Sequence, residues 1–171
     1  MANDSETRSI FITGLRNAHA MENQALSIMK PQISRIEHYP QLARRLEQHY
    51  TETENQMRRL EEILGTLDES HSSLKDAALS FTGAMAAMGH SMAGDEILKN
   101  SMANFAFENF EIAAYKSLIT IAELGGFQAA VMPLQANLKE EYDMAAWLDD
   151  NLRAVTIQFA SLKEAGETAK V

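Results

Sequence analysis

Three glutamates fall where a helical reading of the chain leaves no room for charge. At roughly 100° per residue, Glu22 lands between Leu15, Leu26 and Met29. Glu111 lands between Phe107, Ala114 and Leu118, and Glu141 between Leu134, Leu138, Ala145 and Leu148. Glu52 sits on the edge of a fourth apolar stripe, one turn before Gln56. Burying one unpaired carboxylate costs several kcal/mol or more, and converging carboxylates also repel one another. A pair of divalent cations removes both penalties, because two M²⁺ ions offset four carboxylates and oxygen donors suit iron or manganese. The pattern predicts a buried carboxylate site able to hold two metal ions, Fe or Mn. The other reading of the same residues is a vestigial core, with protonated glutamates hydrogen-bonded to each other or to Tyr and His.

Further candidates surround these acids. Glu108 stands one turn before Glu111, so Glu108-x-x-Glu111 sets two carboxylates on neighbouring rows of one helix. It is either an additional ligand or a solvated flank. His19-x-x-Glu22 and His49-x-x-Glu52 are equivalent pairs whose imidazoles face the core, as direct ligands or as donors behind the ligands. Tyr115, one turn beyond Glu111, can donate to a carboxylate or simply pack, and Gln56 lies on the stripe beside Glu52. Tyr142, Trp147 and Glu140 read as peripheral. Met85, Met88 and Met92 could suggest soft copper ligation, but a methionine-rich packing face explains them more simply.

Four long helices must position these residues. Apolar three-and-four spacing predicts helices over about 6–37, 40–64, 96–124 and 127–152. Pro31 should kink or break the first. Pro40 opens the second, where proline is tolerated, and Gly65 fits its C-cap. Asp95 suits an N-cap for the third, and Gly125-Gly126 ends it. A separate short helix is expected over about 154–165, followed by a fraying tail. Residues 65–95 form a long crossover containing a short Ala- and Met-rich helix. Two hairpins joined by a long crossover give an all-α, ferritin-like antiparallel four-helix bundle, a single domain over 1–171.

Composition narrows the function. Lys and Arg number 15 against 24 Asp and Glu, a formal charge of −9 that argues against nucleic-acid binding and docking on anionic membranes. The absence of cysteine excludes disulfides, thiolate catalysis, zinc fingers and iron–sulfur clusters. The polar N-terminus lacks a signal-peptide core and no apolar run is long enough to span a bilayer, so a cytoplasmic location is expected. Apolar surface such as Phe81, Met85 and Phe159 is expected to support a homodimer.

At these same residues the chain resembles the bacterial YciF/YciE family of ferritin-like stress proteins. The matching stretches are Leu15-Arg16-Asn17-Ala18-His19-Ala20-Met21-Glu22, Glu47-Gln48-His49 through Gln56, Phe107 through Tyr115, and Glu140-Glu141 through Trp147-Leu148. The resemblance implies a cytoplasmic, dimeric stress protein of the ferritin-like and rubrerythrin-like superfamily. It implies Glu22, Glu52, Glu111 and Glu141 as ligands and Glu108 as an extra or switching carboxylate. On the residue reading above, His19, His49, Gln56 and Tyr115 are the candidates to stand behind them. One departure is visible: redox-active sites of this fold carry Glu-x-x-His on two helices, whereas Asn55 follows Glu52 and Met144 follows Glu141 at that spacing. Two functions therefore remain: a carboxylate-bridged dimetal protein reacting with O₂ or peroxide, and a non-catalytic structural or interaction protein.

Overall fold

The computed structural model describes residues 2–67 and 93–171, with side chains from residue 6 onward. All regular structure among them is helical: α1 (Ala2–Ile33), α2 (Pro40–Thr66), α3 (Glu96–Leu124) and α4 (Gln128–Glu164). The expected crossover helix, Phe81 and the Met85, Met88, Met92 face lie outside the described residues.

Each helix buries one stripe. In α2 it is Leu42, Leu46, His49, Thr53, Gln56, Leu60 and Leu64. In α1, Phe11, Leu15, Ala18, Met21, Ala25 and Met29 point inward. The stripes of α3 and α4 run through Ile97, Phe107, Tyr115 and Leu118, and through Leu134, Met144 and Leu148. The core is apolar at the end near Phe11 and Leu118, all four stripes turn polar near mid-height, and a second buried polar group, Gln32, Glu96, Asn100 and Asn104, lies at the opposite end.

The hairpins α1–α2 and α3–α4 pack with α1 against α3 and α2 against α4. Cross-links fix the directions. Between α1 and α3, Arg35 meets Glu96, Gln32 meets Asn104, and Glu22 meets Tyr115, so the two run antiparallel. Between α2 and α4, His49 faces Glu141 and Arg59 reaches Asn137, again antiparallel. Helices α2 and α3 therefore run the same way at opposite corners. The chain leaves α2 beside Arg8, which donates to the Leu67 carbonyl, and enters α3 beside Arg35, at the other end of a bundle about 40 Å long at 1.5 Å per residue. This is ferritin-like topology.

The helix ends differ from expectation in four places. Helix α1 stops at Ile33, two residues after Pro31, instead of reaching residue 37. The ring removes one backbone donor and crowds the carbonyl four residues back. Gly65 lies inside α2, which ends at Thr66. Asp95 occupies the N-cap position of α3 without a side-chain cap hydrogen bond; its carboxylate pairs instead with Lys99 Nζ at 2.8 Å. Helix α4 is continuous through residues 152–154, because Leu-Arg-Ala are good helix formers with nothing to interrupt them.

Two helix ends use the same device. Gly126 and Gly166, both at φ 73°, follow the last turns of α3 and α4. Phe127 N–H then donates to the Ala122 carbonyl and Glu167 N–H to that of Leu162, satisfying end carbonyls in a conformation suited to glycine. Beyond Gly166 the tail docks where fraying was expected. Tyr39 Oη donates to the Ala169 carbonyl at 2.8 Å, Ile97 N–H donates to that of Lys170 at 2.9 Å, and Ala169 is fully buried.

Candidate metal centre

The polar layer at mid-height is built from all four helices. Glu108 and Glu111 sit one turn apart on α3, His49 projects from α2 and Glu141 from α4. One ligand-type atom from each lies within 4.8 Å of all the others, and all four residues are buried. Glu22 enters from α1 and is also fully buried; its Oε1 accepts a short hydrogen bond from Tyr115 Oη. The tyrosine is held in turn by Asn137 Nδ2, which donates to its oxygen at 2.9 Å. Arg59 donates to Asn137 Oδ1 at 2.8 Å while gripping Glu140 with both Nη atoms.

The acids at the centre lack ordinary partners. Both oxygens of Glu111, both of Glu141, and Oε2 of Glu22 and of Glu108 are buried without a hydrogen bond. His49 Nε2 lies within ion-pair distance of Glu108 Oε2 and Glu141 Oε2, at 3.2 and 3.5 Å, but is not aligned to donate to them. Burial pushes Glu22 up to about 8, and it pushes Glu111 and Glu141 well above the usual carboxylate range, with the neighbouring acids adding to the effect. Burial would lower His49, but Glu108 and Glu52 outweigh it and hold the imidazole up at about 9. Desolvation and repulsion act together on one group of side chains, as at functional sites generally.

The sequence-predicted residues divide into two sets. Glu22, Glu108, Glu111, Glu141 and His49 converge, with Tyr115 behind Glu22. Glu52 does not join them. It stands behind His49, accepting from Nδ1 at 3.0 Å, from Arg45 Nη1 at 3.0 Å and from Gln48 Nε2 at 2.7 Å. These donors overcome its partial burial and hold its carboxyl down at about 2. His19 is also elsewhere: its Nε2 meets Glu61 Oε1 at 2.9 Å on the α1–α2 seam.

The inward i, i+3 pair of α2 is therefore Thr53 and Gln56, one position on from Glu52 and Asn55, and both are fully buried. Asn137 is equally buried and was not anticipated; its place one turn before Glu141 was the available signal. Glu140, expected at the surface, is half-buried against Arg59.

The donors fit a metal. Four buried carboxylates gather around one imidazole, and no Lys or Arg is within hydrogen-bonding distance of them among the described residues. Glu52 holds His49 at Nδ1 and leaves Nε2 turned toward the acids, which is how protein imidazoles are oriented toward a metal. Oxygen-rich sites with one nitrogen suit iron or manganese.

The topology and the layer of buried acids define a ferritin-like bundle with a candidate metal centre at mid-height. The chain belongs to the family described as Domain of unknown function (DUF892), whose model matches residues 6–161. A crystal structure of protein XCC3681 from Xanthomonas campestris pv. campestris is similar over 92% of this chain and 99% of that one, at 32% identity and a TM-score of 0.77. The E. coli stress protein YciF shares the fold at 23% identity and a TM-score of 0.72, over 85% of this chain and 94% of its own.

Proposed function

We propose that the buried cluster is a carboxylate-bridged metal centre holding two iron or manganese ions, and that the protein serves bacterial stress defence by reacting with O₂ or peroxide. The observation that carries this reading is the set of orphaned oxygens on Glu22, Glu108, Glu111 and Glu141, packed around one imidazole and fully removed from water. Leaving such atoms unpaired costs about 1–3 kcal/mol each, more when charged, and a bound cation turns the cost into ligation.

In this reading His49, Glu108, Glu111 and Glu141 take one ion, and Glu22 brings a carboxylate to a second. When bound, such ions supply redox chemistry between divalent and trivalent states. The chain's own residues set the surroundings. Glu52 and Arg45 orient His49, Tyr115 occupies one oxygen of Glu22, and Met144, Leu148 and Leu15 exclude water. A stress role is supported by the likeness to YciF, which is itself described as a stress protein. The protein would work in the cytoplasm as a homodimer, for which the exposed Met102 and Phe110 of α3 offer apolar surface.

Anaerobic reconstitution of chelator-stripped protein with Fe²⁺ or Mn²⁺ tests the reading. Elemental analysis should find about two ions per chain at saturation, as four carboxylates require for neutrality. Less than about one ion per chain overturns it.

A further inference from the structure

Helix α2 supports the centre differently from the other three. Helices α1, α3 and α4 bring carboxylates, whereas the inner face of α2 reads His49, Thr53, Gln56. Thr53 and Gln56 are both 0% exposed, and Thr53 Oγ1 and both heteroatoms of the Gln56 amide have no hydrogen-bond partner. An amide buried with nothing to bind is a poor packing residue; leucine would fill similar space without loss of hydration.

The register places these atoms. His49 faces Glu141, and the Gln56 backbone carbonyl accepts from Asn137 Nδ2, one turn from Glu141 on α4. Thr53 and Gln56 therefore line the core on the side of His49 toward Asn137 and Tyr115. Glu22 belongs to that same layer through its bond to Tyr115, with Oε2 free. Glu22 is not one of the group formed by His49, Glu108, Glu111 and Glu141.

We infer that the centre contains two chemically unequal cation positions, and that Glu22, Gln56 and Thr53 form the weaker one. The inference rests on the metal-centre reading above. The first position has an imidazole and three carboxylates. The second has Glu22 as its one separate carboxylate, the Gln56 amide oxygen, the Thr53 hydroxyl, and whatever oxygens Glu111 and Glu141 share with it. An equal pair would need a carboxylate and an imidazole at the two inward positions of α2. Neutral oxygens in their place favour a hard ion such as Mn²⁺ over softer competitors and hold it less tightly. Loading is thus stepwise: one ion first, the second only at higher concentration.

Titration of chelator-stripped protein with Mn²⁺, read by calorimetry and by the electron paramagnetic resonance signal of free Mn²⁺, tests this. The wild type should show one tight step and a second about 100-fold weaker, taking the upper end of the effect of lesser ligand changes. Gln56→Glu should tighten the second step at least about 10-fold and leave the first unchanged. Gln56→Leu, which removes a buried polar group and so keeps a folded alternative available, should abolish the second step and retain the first. Two equal steps in the wild type overturn the inference, as does a change confined to the first step in either variant. A single wild-type step indifferent to both substitutions also overturns it, while leaving a one-ion centre standing. Absence of any Mn²⁺ or Fe²⁺ binding overturns the metal-centre reading with it.

Discussion

Glu96 and Glu111 lie on the same helix, four turns apart, and both are 0% exposed. Their surroundings are opposite. Glu96, at the end of the bundle, accepts from Arg35 Nε and Nη2 at 3.0 and 2.5 Å, takes Asn100 Nδ2 at 3.4 Å, and lies 3.3 Å from Lys170 Nζ. Next to it Gln32 and Asn104 satisfy each other's amides. Burial would raise the Glu96 carboxyl, but Arg35 and Lys170 bring it below the usual range. Glu111 faces other acids, Glu141 within hydrogen-bonding reach among them, no Lys, Arg or N–H group donates to it among the described residues, and its carboxyl is driven well up. One fold thus contains both solutions to a buried acid. At the end, the chain supplies its own countercharge and ties α1, α3 and the tail together. At mid-height one imidazole, His49, faces four carboxylates, and no Lys or Arg joins it among the described residues. The contrast shows that the orphaned centre is not general tolerance of buried charge.

The largest expected difference between the regions is their response to pH. Unfolded, Glu22 titrates near 4.5; in the folded, metal-free protein it is held at about 8, with Glu111 and Glu141 also raised. Between those values the folded state binds more protons than the unfolded one, so stability falls as pH rises. His49, raised to about 9, acts in the same direction from about 6.5 upward. Chelated protein should therefore be most stable near pH 5 and lose on the order of 5 kcal/mol by pH 9. Metal neutralises the acids, so the reconstituted protein should lose much less over that range. Denaturant melts with and without Mn²⁺ measure this, and a chelated protein equally stable at pH 5 and 9 contradicts the picture.

Next in size is the effect of replacing glutamate by leucine in both places. Glu111→Leu with Glu141→Leu should stabilise chelated protein by about 1–4 kcal/mol, the range for replacing buried charge by packed apolar groups. It should also abolish metal-dependent stabilisation. Glu96→Leu should do the reverse, costing about 1.5–3 kcal/mol for the lost charged hydrogen bonds, with metal loading unchanged. Arg35 and Lys170 are 37% and 38% exposed and can turn to water, so the loss is of ties and not of buried countercharge. Thermal melts of the two variants with the same sign would erase the distinction.

Much of this was legible in the residues themselves. The three-and-four spacing puts Glu22, Glu111 and Glu141, and Gln56 on the fourth stripe, at positions that are fully buried. What failed to show was decided by contacts between helices or by single-residue offsets. Glu52 stands at the edge of its stripe, and only the donors from Arg45, Gln48 and His49 settle that its carboxylate turns away from the other acids. Asn137 looked unremarkable because its role depends on Tyr115 and Arg59, on two other helices. The docked tail depends on Tyr39, 130 residues from the carbonyl it binds, and no local periodicity encodes such a pairing.

Glu52 joins the two behaviours, being a paired acid that acts on the unpaired ones only through His49. Glu52→Gln keeps the shape and an acceptor for Nδ1 but removes the charge that Arg45 and the imidazole share. The imidazole, then held up chiefly by Glu108, should titrate lower, which nuclear magnetic resonance of the chelated protein can follow. Metal affinity should fall about 10- to 100-fold, the usual consequence of losing a partner behind a ligating histidine. The fold should persist, since Glu52 is partly exposed and the glutamine oxygen can still accept from Arg45 and His49. If metal affinity is unchanged while the His49 titration moves, the histidine is oriented by Glu52 without being a ligand. The centre would then consist of carboxylates alone.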